Sequence, residues 1–214
     1  MTLGVVATGT DVLAVSDRDR ILQAMADCCA ESGYAETTVA AVLDRADVSC
    51  DSFEAHFAGK EDCALAALNK VVSETLARVS MAHADVEGAV EQRKFDIRAI
   101  LDLLAAQPSF ARLAAIEARQ GGTARMHDSY ESAAAVLALM AERTADGGWR
   151  PSVAARAALG GAEALLRREL AKGRAGRLSQ LLPDFVYAAL VPWVGQREAL
   201  RQAKLAARVA AEEE

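Results

Sequence analysis

The side chains with the clearest chemistry lie between residues 37 and 60. Hydroxyls at helix starts and basic side chains are the groups that proteins use to hold DNA phosphates. Carboxylates cannot attract phosphate, but they can accept hydrogen bonds from the amino group of cytosine. The candidates for DNA contact are Thr37, Thr38, Arg45, Ser49, Cys50, Asp51, Ser52, Glu54, His56 and Lys60.

Three short helices must position these side chains. Ser16 and Ser49 can each cap the start of a helix, Thr37 and Thr38 can cap the helix between them, and Gly33 suits the end of the first helix. Residues 46–48 form the turn between the second and third helices. Two short helices joined by a tight turn and packed on a first helix are typical of a helix-turn-helix, whose second helix enters the major groove. A three-helix unit with no DNA role has the same pattern.

The segment also resembles a known family. The matching residues are Ile21-Leu22, Glu31-Ser32-Gly33-Tyr34, Thr37-Thr38-Val39, Ala46-x-Val48-Ser49, Phe53, His56-Phe57 and Lys60-Glu61. They are similar to the amino-terminal domain of the TetR (TetR/AcrR-like) transcriptional regulators. The remainder of the chain is similar to that family only in its layout of helices. The resemblance implies a homodimer with a DNA-binding head and a ligand-sensing body.

Three positions depart from the family pattern. Asp47 stands where the turn glycine is usual, and Asp51-Ser52 replaces a Gly-Thr pair in the reading helix. Glu54 replaces an aromatic residue that normally approaches the DNA backbone. Ser52 keeps a hydroxyl that could bond a phosphate, whereas Asp51 and Glu54 add negative charge at the predicted DNA surface.

Charge in the helix-turn-helix segment opposes DNA binding. Residues 17–62 hold four Lys or Arg (Arg18, Arg20, Arg45 and Lys60) against eleven Asp or Glu, in a chain whose net charge is −6. Neutralisation of phosphates by basic residues supplies most non-specific affinity for DNA. The sequence therefore predicts binding to a double-stranded DNA operator that is weakened by an acidic head.

Composition and periodicity predict an all-α fold. Alanine and leucine supply much of the apolar content, aromatic residues make up 5%, and there are four prolines. We expect an N-terminal helix-turn-helix domain at 16–62, continuing into a connecting helix to about residue 84, and a C-terminal helical ligand-binding and dimerisation domain at 85–214. Residues 1–15 are expected to form a flexible tail.

A stripe on the long helix from 123 to about 145 predicts a cavity for a small apolar ligand. Its members recur at steps of three and four residues, and flexible methionines beside one phenol suit an adaptable apolar pocket. An ordinary core would give the same stripe. The predicted ligand-binding residues are Met126, Tyr130, Leu137 and Met140, with Phe95 and Phe110 as further candidates.

Two apolar helices near the end of the chain predict the homodimer interface. Segments 153–172 and 178–194 each carry an apolar face, and the Gly160-Gly161 pair would allow another backbone to come close. The resemblance implies that the two helices pair with their twofold mates as a four-helix bundle. The predicted interface residues are Leu159, Ala162, Leu166, Leu170, Leu181 and Phe185.

Other functional classes find little support. No apolar stretch approaches the ~20 residues that span a bilayer, and the start lacks the charge of a signal peptide, so we expect a cytoplasmic protein with no membrane contact. The cysteines suggest neither a disulfide framework nor a metal site. No catalytic or nucleotide-binding motif is present, so we expect no enzyme activity and no cofactor.

The leading interpretation is a ligand-responsive DNA-binding transcriptional regulator, a repressor released by a small apolar ligand. The alternative is a helical sensor or protein-interaction module of the same fold that has lost most DNA binding through its acidic reading helix.

Overall fold

The computed structural model describes residues 16–82, 88–143 and 152–212, and this part of the chain is helical with no β-strand. The all-α prediction is confirmed. The predicted tail at 1–15 lies outside the described residues. The helices are α1 (Asp17–Ser32), α2 (Val39–Ala46), α3 (Cys50–His56), α4 (Lys60–Ala82), α5 (Ala89–Ala106), α6 (Pro108–Arg112), α7 (Ala118–Gln120), α8 (Ala124–Arg143), α9 (Ser152–Ala171), α10 (Leu182–Val194) and α11 (Gln196–Glu212).

Short irregular helical turns connect some of these helices. A π-helical turn, Leu113–Glu117, joins α6 to α7, and two 3₁₀ turns, Ala175–Arg177 and Ser179–Leu181, lie between α9 and α10. We call α1–α3 the head and α5–α11 the body. α4 belongs to both, because it begins beside the head and runs into the body.

Hydroxyl caps start the three helices of the head, as the sequence predicts. The Ser16 hydroxyl accepts from the backbone N–H of Asp19 at 3.1 Å, and the Thr38 hydroxyl accepts from that of Ala41 at 3.2 Å. The Ser49 hydroxyl accepts from the N–H of Ser52 at 3.1 Å. Each cap satisfies a backbone donor that the first helical turn leaves without a partner.

The head packs around an apolar cluster that fixes the angle of α3. Ile21, Leu22 and Met25 on α1 are completely buried. Phe53 on α3 inserts beside Phe57, with ring centroids 5.6 Å apart. Because Phe53 is the buried residue of α3, the remaining faces of this short helix are left outside the core.

The cysteines of the described residues are free, and no metal-binding cluster is found among these residues. Cys28, Cys29 and Cys63 are buried, Cys50 is exposed, and all four are free. Burial raises the pKa of Cys29 to about 11 and that of Cys63 to about 12, so both remain thiols. In the described ranges no group of His, Cys, Asp and Glu could hold a metal ion.

No single described helix is long and apolar enough to cross a membrane. Residues 89–106 and 108–120 satisfy the length and composition test only as a pair, and the pair is bent by 111°.

Candidate functional site

The exposed face of α3 is acidic. Cys50, Asp51 and Glu54 are exposed there, and Ser49 and His56 are exposed at its two ends. The Cys50 thiol donates to Glu54 Oε1 at 3.5 Å, which keeps that carboxylate along the helix surface. The structure therefore leaves both acids of the predicted reading helix accessible to a DNA groove.

The turn between α2 and α3 requires a left-handed residue. Asp47 has φ 52° and ψ 54°, the conformation that glycine adopts most easily and that Asp tolerates better than most residues. Arg20 holds this turn, because its Nη1 donates to the carbonyls of Ala46 at 3.0 Å and Asp47 at 3.1 Å. The helix-turn-helix geometry survives without the usual glycine.

Hydrogen bonds within the head occupy groups that the sequence assigns to phosphate. Arg45 pairs with Glu31 at 2.6 Å. The Ser52 hydroxyl donates to Asp17 Oδ2 at 2.7 Å. Hydrogen bonds from Arg20 and then from Ser52 hold the pKa of Asp17 below its usual value, so this carboxylate stays ionised. Ser52 is therefore engaged by an anion before any phosphate approaches.

Lys60 is placed differently from the prediction. Its Nζ donates to the carbonyls of Tyr34 at 2.9 Å, Ala35 at 3.2 Å and Thr37 at 2.9 Å. It also lies 4.4 Å from the centroid of the Tyr34 ring. Lys60 thus ties the start of α4 to the connection between α1 and α2, and its contact with a phosphate stays a prediction that would require these bonds to break.

We call residues 33–37 the Tyr34 turn. Gly33 ends α1 with φ 84°, and Tyr34 is buried behind it. The predicted DNA contact Thr37 is only 2% exposed, and its hydroxyl donates to the carbonyl of Gly33 at 2.8 Å. Thr37 therefore closes the turn from inside and cannot reach a phosphate, whereas its neighbour Thr38 is exposed.

Replacing Lys60 with Met should lower the free energy of unfolding by about 2–3 kcal/mol, because the change removes three charge-assisted bonds to carbonyls while keeping the alkyl stem. Urea unfolding measures the effect. Lys70→Met is the matched control. Lys70 makes ion pairs with Glu74 at 3.0 Å and Asp19 at 3.9 Å on the surface, and their loss should cost less than about 1 kcal/mol. Equal losses in the two variants would contradict the structural role of Lys60.

The body contains a partly open cavity of about 230 Å³. Its walls come from α4, α5, α6 and the π-helical turn, α8, α9 and α10, and are mostly apolar. The described lining residues are Val71, Val72, Thr75, Leu76, Val79, Arg93, Asp96, Ile97, Ile100, Leu101, Leu104, Ala111, Ala114, Ala115, Tyr130, Ala133, Ala134, Leu137, Ala138, Ala158, Ala162, Glu163, Leu166, Phe185, Ala189 and Trp193.

Part of the predicted ligand-binding set lines this cavity. Tyr130 and Leu137 do so. Phe110 and Met126 are buried in the core away from the cavity, and Phe95 is 52% exposed on α5. Those three placements correct the prediction. Met126 packs in the core because the stripe on α8 turns from core to cavity along its length, whereas Phe95 and Phe110 lie on other helices, α5 and α6. The side chain of Met140 lies outside the described part.

A polar cluster that the sequence analysis did not identify lies in the cavity wall. The Tyr130 hydroxyl donates to Glu163 Oε1, and Arg119 Nη1 donates to Glu163 Oε2 at 2.7 Å. Burial first, and then the bond to Glu163, raises the pKa of Tyr130 well above its usual value, so the phenol keeps its proton. No local spacing indicates this cluster, since its members come from three separate helices.

Glu117 connects the cavity wall to the head. It ends the π-helical turn, and its Oε2 accepts from the backbone N–H of Tyr34 at 2.9 Å. A Cβ at Gly121 would come within 2.7 Å of the same oxygen, so this glycine leaves room for the carboxylate. Gly121 thus admits the contact between body and head.

Most of the predicted dimer residues face inward. Leu170 and Phe185 are buried, and Ala162, Leu166 and Phe185 line the cavity. Leu181 packs half-buried against the core. These residues are therefore corrected to internal packing positions, because their faces of α9 and α10 turn toward α5 and α8. The side chain of Leu159 lies outside the described part.

The outer face of α9 is a different surface made of small residues. A Cβ added at either Gly160 or Gly161 would meet no described atom within 4 Å, and Val153 is 72% exposed. The exposed residues recur along one side of the helix: Val153, Ala157, Gly160, Gly161 and Ala164.

Comparisons with known proteins agree with this architecture. Residues 21–67 match the family described as bacterial regulatory proteins, tetR family. No curated protein sequence matches the chain.

Solved structures resemble most of the chain. The fatty acid degradation regulator FadR from Bacillus halodurans is 17% identical with a TM-score of 0.71, over 83% of this chain and 98% of that one. FadR from Bacillus subtilis, in complex with stearoyl-CoA, is 17% identical with a TM-score of 0.68, over 82% and 97% of the two chains. TylP, a tetR regulator from Streptomyces fradiae, is 17% identical with a TM-score of 0.67, over 92% and 96%.

At these identities the structural likeness shows the fold, and the matched segment 21–67 carries the family assignment. That segment covers α2, α3 and most of α1, which are the elements that form the helix-turn-helix. The amino-terminal segment 21–67 is therefore similar to the bacterial regulatory proteins of the tetR family, and the chain shares the all-α fold of the solved regulators.

Proposed function

We propose that this protein is a ligand-responsive transcriptional regulator, a repressor that a small, largely apolar ligand releases from its DNA operator. One observation carries the proposal. The π-helical turn that lines the cavity through Ala114 and Ala115 also carries Glu117, which bonds the Tyr34 turn immediately before α2. A change in the cavity wall therefore has a direct connection to the helix-turn-helix.

The coupling would work as a shift between two arrangements. A ligand can favour one arrangement only by binding it more tightly than the other. Filling the cavity would displace the π-helical turn, and Glu117 would carry that displacement to Tyr34. Since Lys60 ties the same turn to α4, head and connecting helix would move together. A small rotation of each head is enough to misplace two reading helices that must sit about 34–36 Å apart on DNA.

The similar structures support a ligand role for the body. FadR from Bacillus subtilis was solved with stearoyl-CoA, and another structure of this fold is a gamma-butyrolactone receptor. The stearoyl group of the first ligand is an apolar chain, and the lactone named in the second is uncharged. A mostly apolar cavity in the corresponding body of this chain suits a ligand of that general kind.

The outer face of α9 supports the dimer. Its exposed glycines and alanines would let a second copy of the helix approach closely, and the half-buried residues Tyr187, Ala188 and Val191 on α10 extend the surface. We propose this face, in place of the inward-facing residues, as the twofold contact. An operator with two half-sites requires such a contact, because the symmetry of the DNA mirrors that of the protein.

Replacing Ala164 with Arg should turn the dimer into a folded monomer, because it places a long charged side chain on the small-residue face of α9. Sedimentation at micromolar concentration measures the oligomeric state. Ala77→Arg, at an exposed position of α4, is the matched control and should remain dimeric. A monomeric wild-type protein, or a dimeric Ala164→Arg variant, would contradict the assignment.

One observation favours a second candidate function. Each base of the head has an intramolecular contact, including Arg18, which lies 5.6 Å from the centroid of the Phe57 ring. With Asp51 and Glu54 exposed, the head could instead dock on a protein, leaving the body as a sensor.

Selection of genomic fragments by the purified full-length protein at low salt separates the two functions. The regulator predicts a recurrent sequence with two half-sites, and the protein-docking alternative predicts no enrichment over the input. An enriched fragment should lose occupancy when a ligand that stabilises the protein is added. Enrichment that no stabilising ligand reduces would refute the ligand-release mechanism while leaving DNA binding intact.

A further inference from the structure

The chemistry of the cavity wall restricts the ligand. The two ends of the cavity carry different polar groups. The proximal end, nearer the head, holds Tyr130 and Glu163; here the neighbouring Ser129 donates to Asn69 of α4 at 2.7 Å. The distal end holds Arg93, whose guanidinium lies 5.6 Å from the centroid of the Trp193 ring.

Charge at each end is compensated within the protein. At the distal end, burial lowers the pKa of Arg93, and the Asp96 carboxylate, which lines the same cavity, opposes that shift. At the proximal end, Arg119 lies 2.7 Å from Glu163 and 3.7 Å from Glu131. The described lining thus contains one cation and two carboxylates, and it has no excess positive charge for an anionic ligand.

The proximal cluster can still accept a hydrogen bond. Tyr130 gives its only proton to Glu163, and Arg119 donates to both of these side chains, so the lone pairs that remain for a ligand lie mainly on the carboxylate of Glu163. Glu163 is only 14% exposed and already paired with Arg119, so an anion placed beside it would meet a like charge and gain no free cation. A ligand acceptor would find no free proton there, whereas a ligand hydroxyl could donate one.

We propose that the ligand is an uncharged, mainly apolar molecule with one hydrogen-bond donor, of the class of aliphatic alcohols, whose donor binds the Tyr130–Glu163 pair. The apolar part lies along α4, α5 and α8, where Val72, Ile97 and Leu137 line the wall. This inference rests on the proposed ligand role of the cavity, and it adds the charge and polarity of the ligand.

A matched series of eight-carbon probes tests the proposal on the full-length protein without DNA. The probes are 1-octanol, which donates a hydrogen bond, 2-octanone, which only accepts one, and octanoate, which is anionic at pH 7. Calorimetric titration should rank octanol first, with 2-octanone about tenfold weaker and octanoate weaker still, since a donor to a carboxylate gains a charge-assisted bond.

Two variants locate the donor site. Tyr130→Phe should weaken octanol binding about tenfold and leave 2-octanone binding unchanged, whereas Ser132→Ala, which removes an exposed hydroxyl of α8 outside the cavity, should change neither. Glu163→Gln leaves Arg119 without its nearest carboxylate. The ratio of the affinity for octanol to the affinity for octanoate should therefore fall at least about tenfold. Thermal unfolding without ligand checks that each variant is folded.

Tighter binding of octanoate than of octanol, equal binding of octanol and 2-octanone, or no binding of octanol up to its solubility would each overturn the proposal. Tight octanoate binding that Arg93→Gln abolishes would place the ligand head at the distal end instead. These readouts do not involve DNA. A negative result with the eight-carbon probes therefore does not contradict the proposed regulator function. A negative result in the fragment selection does not contradict the proposed ligand class.

Discussion

The double variant Asp51→Asn/Glu54→Gln is expected to bind non-specific DNA at least about tenfold more tightly than the wild-type protein. Both carboxylates are exposed on α3, the helix that we propose to enter the DNA groove. Two negative charges within a few ångströms of phosphates are costly, and neutral amides of the same shape remove that repulsion. Fluorescence anisotropy with a random-sequence duplex at low salt measures the change.

The control removes the same charge elsewhere. Asp128→Asn/Asp184→Asn changes two exposed carboxylates on α8 and α10 of the body and should alter DNA affinity by less than about twofold. A similar gain in both double variants would mean that net charge acts at long range. No gain in the α3 variant would show that the acidic face does not approach DNA.

Glu117→Ala should largely abolish the effect of ligand on DNA binding. It removes the bond to the Tyr34 N–H, through which the cavity wall holds the head. Allosteric couplings are typically about 5–150-fold in affinity, so the ratio of DNA affinities without and with 1-octanol should fall at least about fivefold. Glu117→Gln keeps an oxygen that can accept from Tyr34 and should retain most of the coupling. An undiminished ratio in Glu117→Ala would show that coupling runs through another contact, such as α4.

Local sequence signals predicted the head well. Hydroxyl caps, the glycine after α1 and the periodic apolar residues act within a few positions, so Ser16, Thr38 and Ser49 start their helices where expected. The limits of α8 and α9 and the end of α10 were also close to the structure. Residue type was a poorer guide to contacts, because Lys60 and Thr37 are used to hold the Tyr34 turn.

The body shows why periodicity alone did not define the site. An apolar stripe indicates which face of a helix turns away from solvent. It does not indicate whether that face packs in the core, lines a cavity or contacts a second chain. Met126 thus packs in the core, whereas Tyr130 lines the cavity. Phe185, which was predicted to contact a second chain, also lines the cavity. Glu163 and Glu117 act across 33 and 83 positions, on Tyr130 and Tyr34, and no local pattern indicates such partners.

The salt dependence of operator binding tests the central claim most directly. The claim is that this fold still places α3 on DNA, but with its own bases engaged inside the head. Each phosphate contact contributes a slope of about 0.9 in log K against log salt. For a fragment recovered by selection, we predict measurable binding at low salt and a slope no steeper than about −4 for the dimer between roughly 50 and 200 mM salt. A slope steeper than about −8 with nanomolar affinity at physiological salt, or no binding at any salt, would contradict the account.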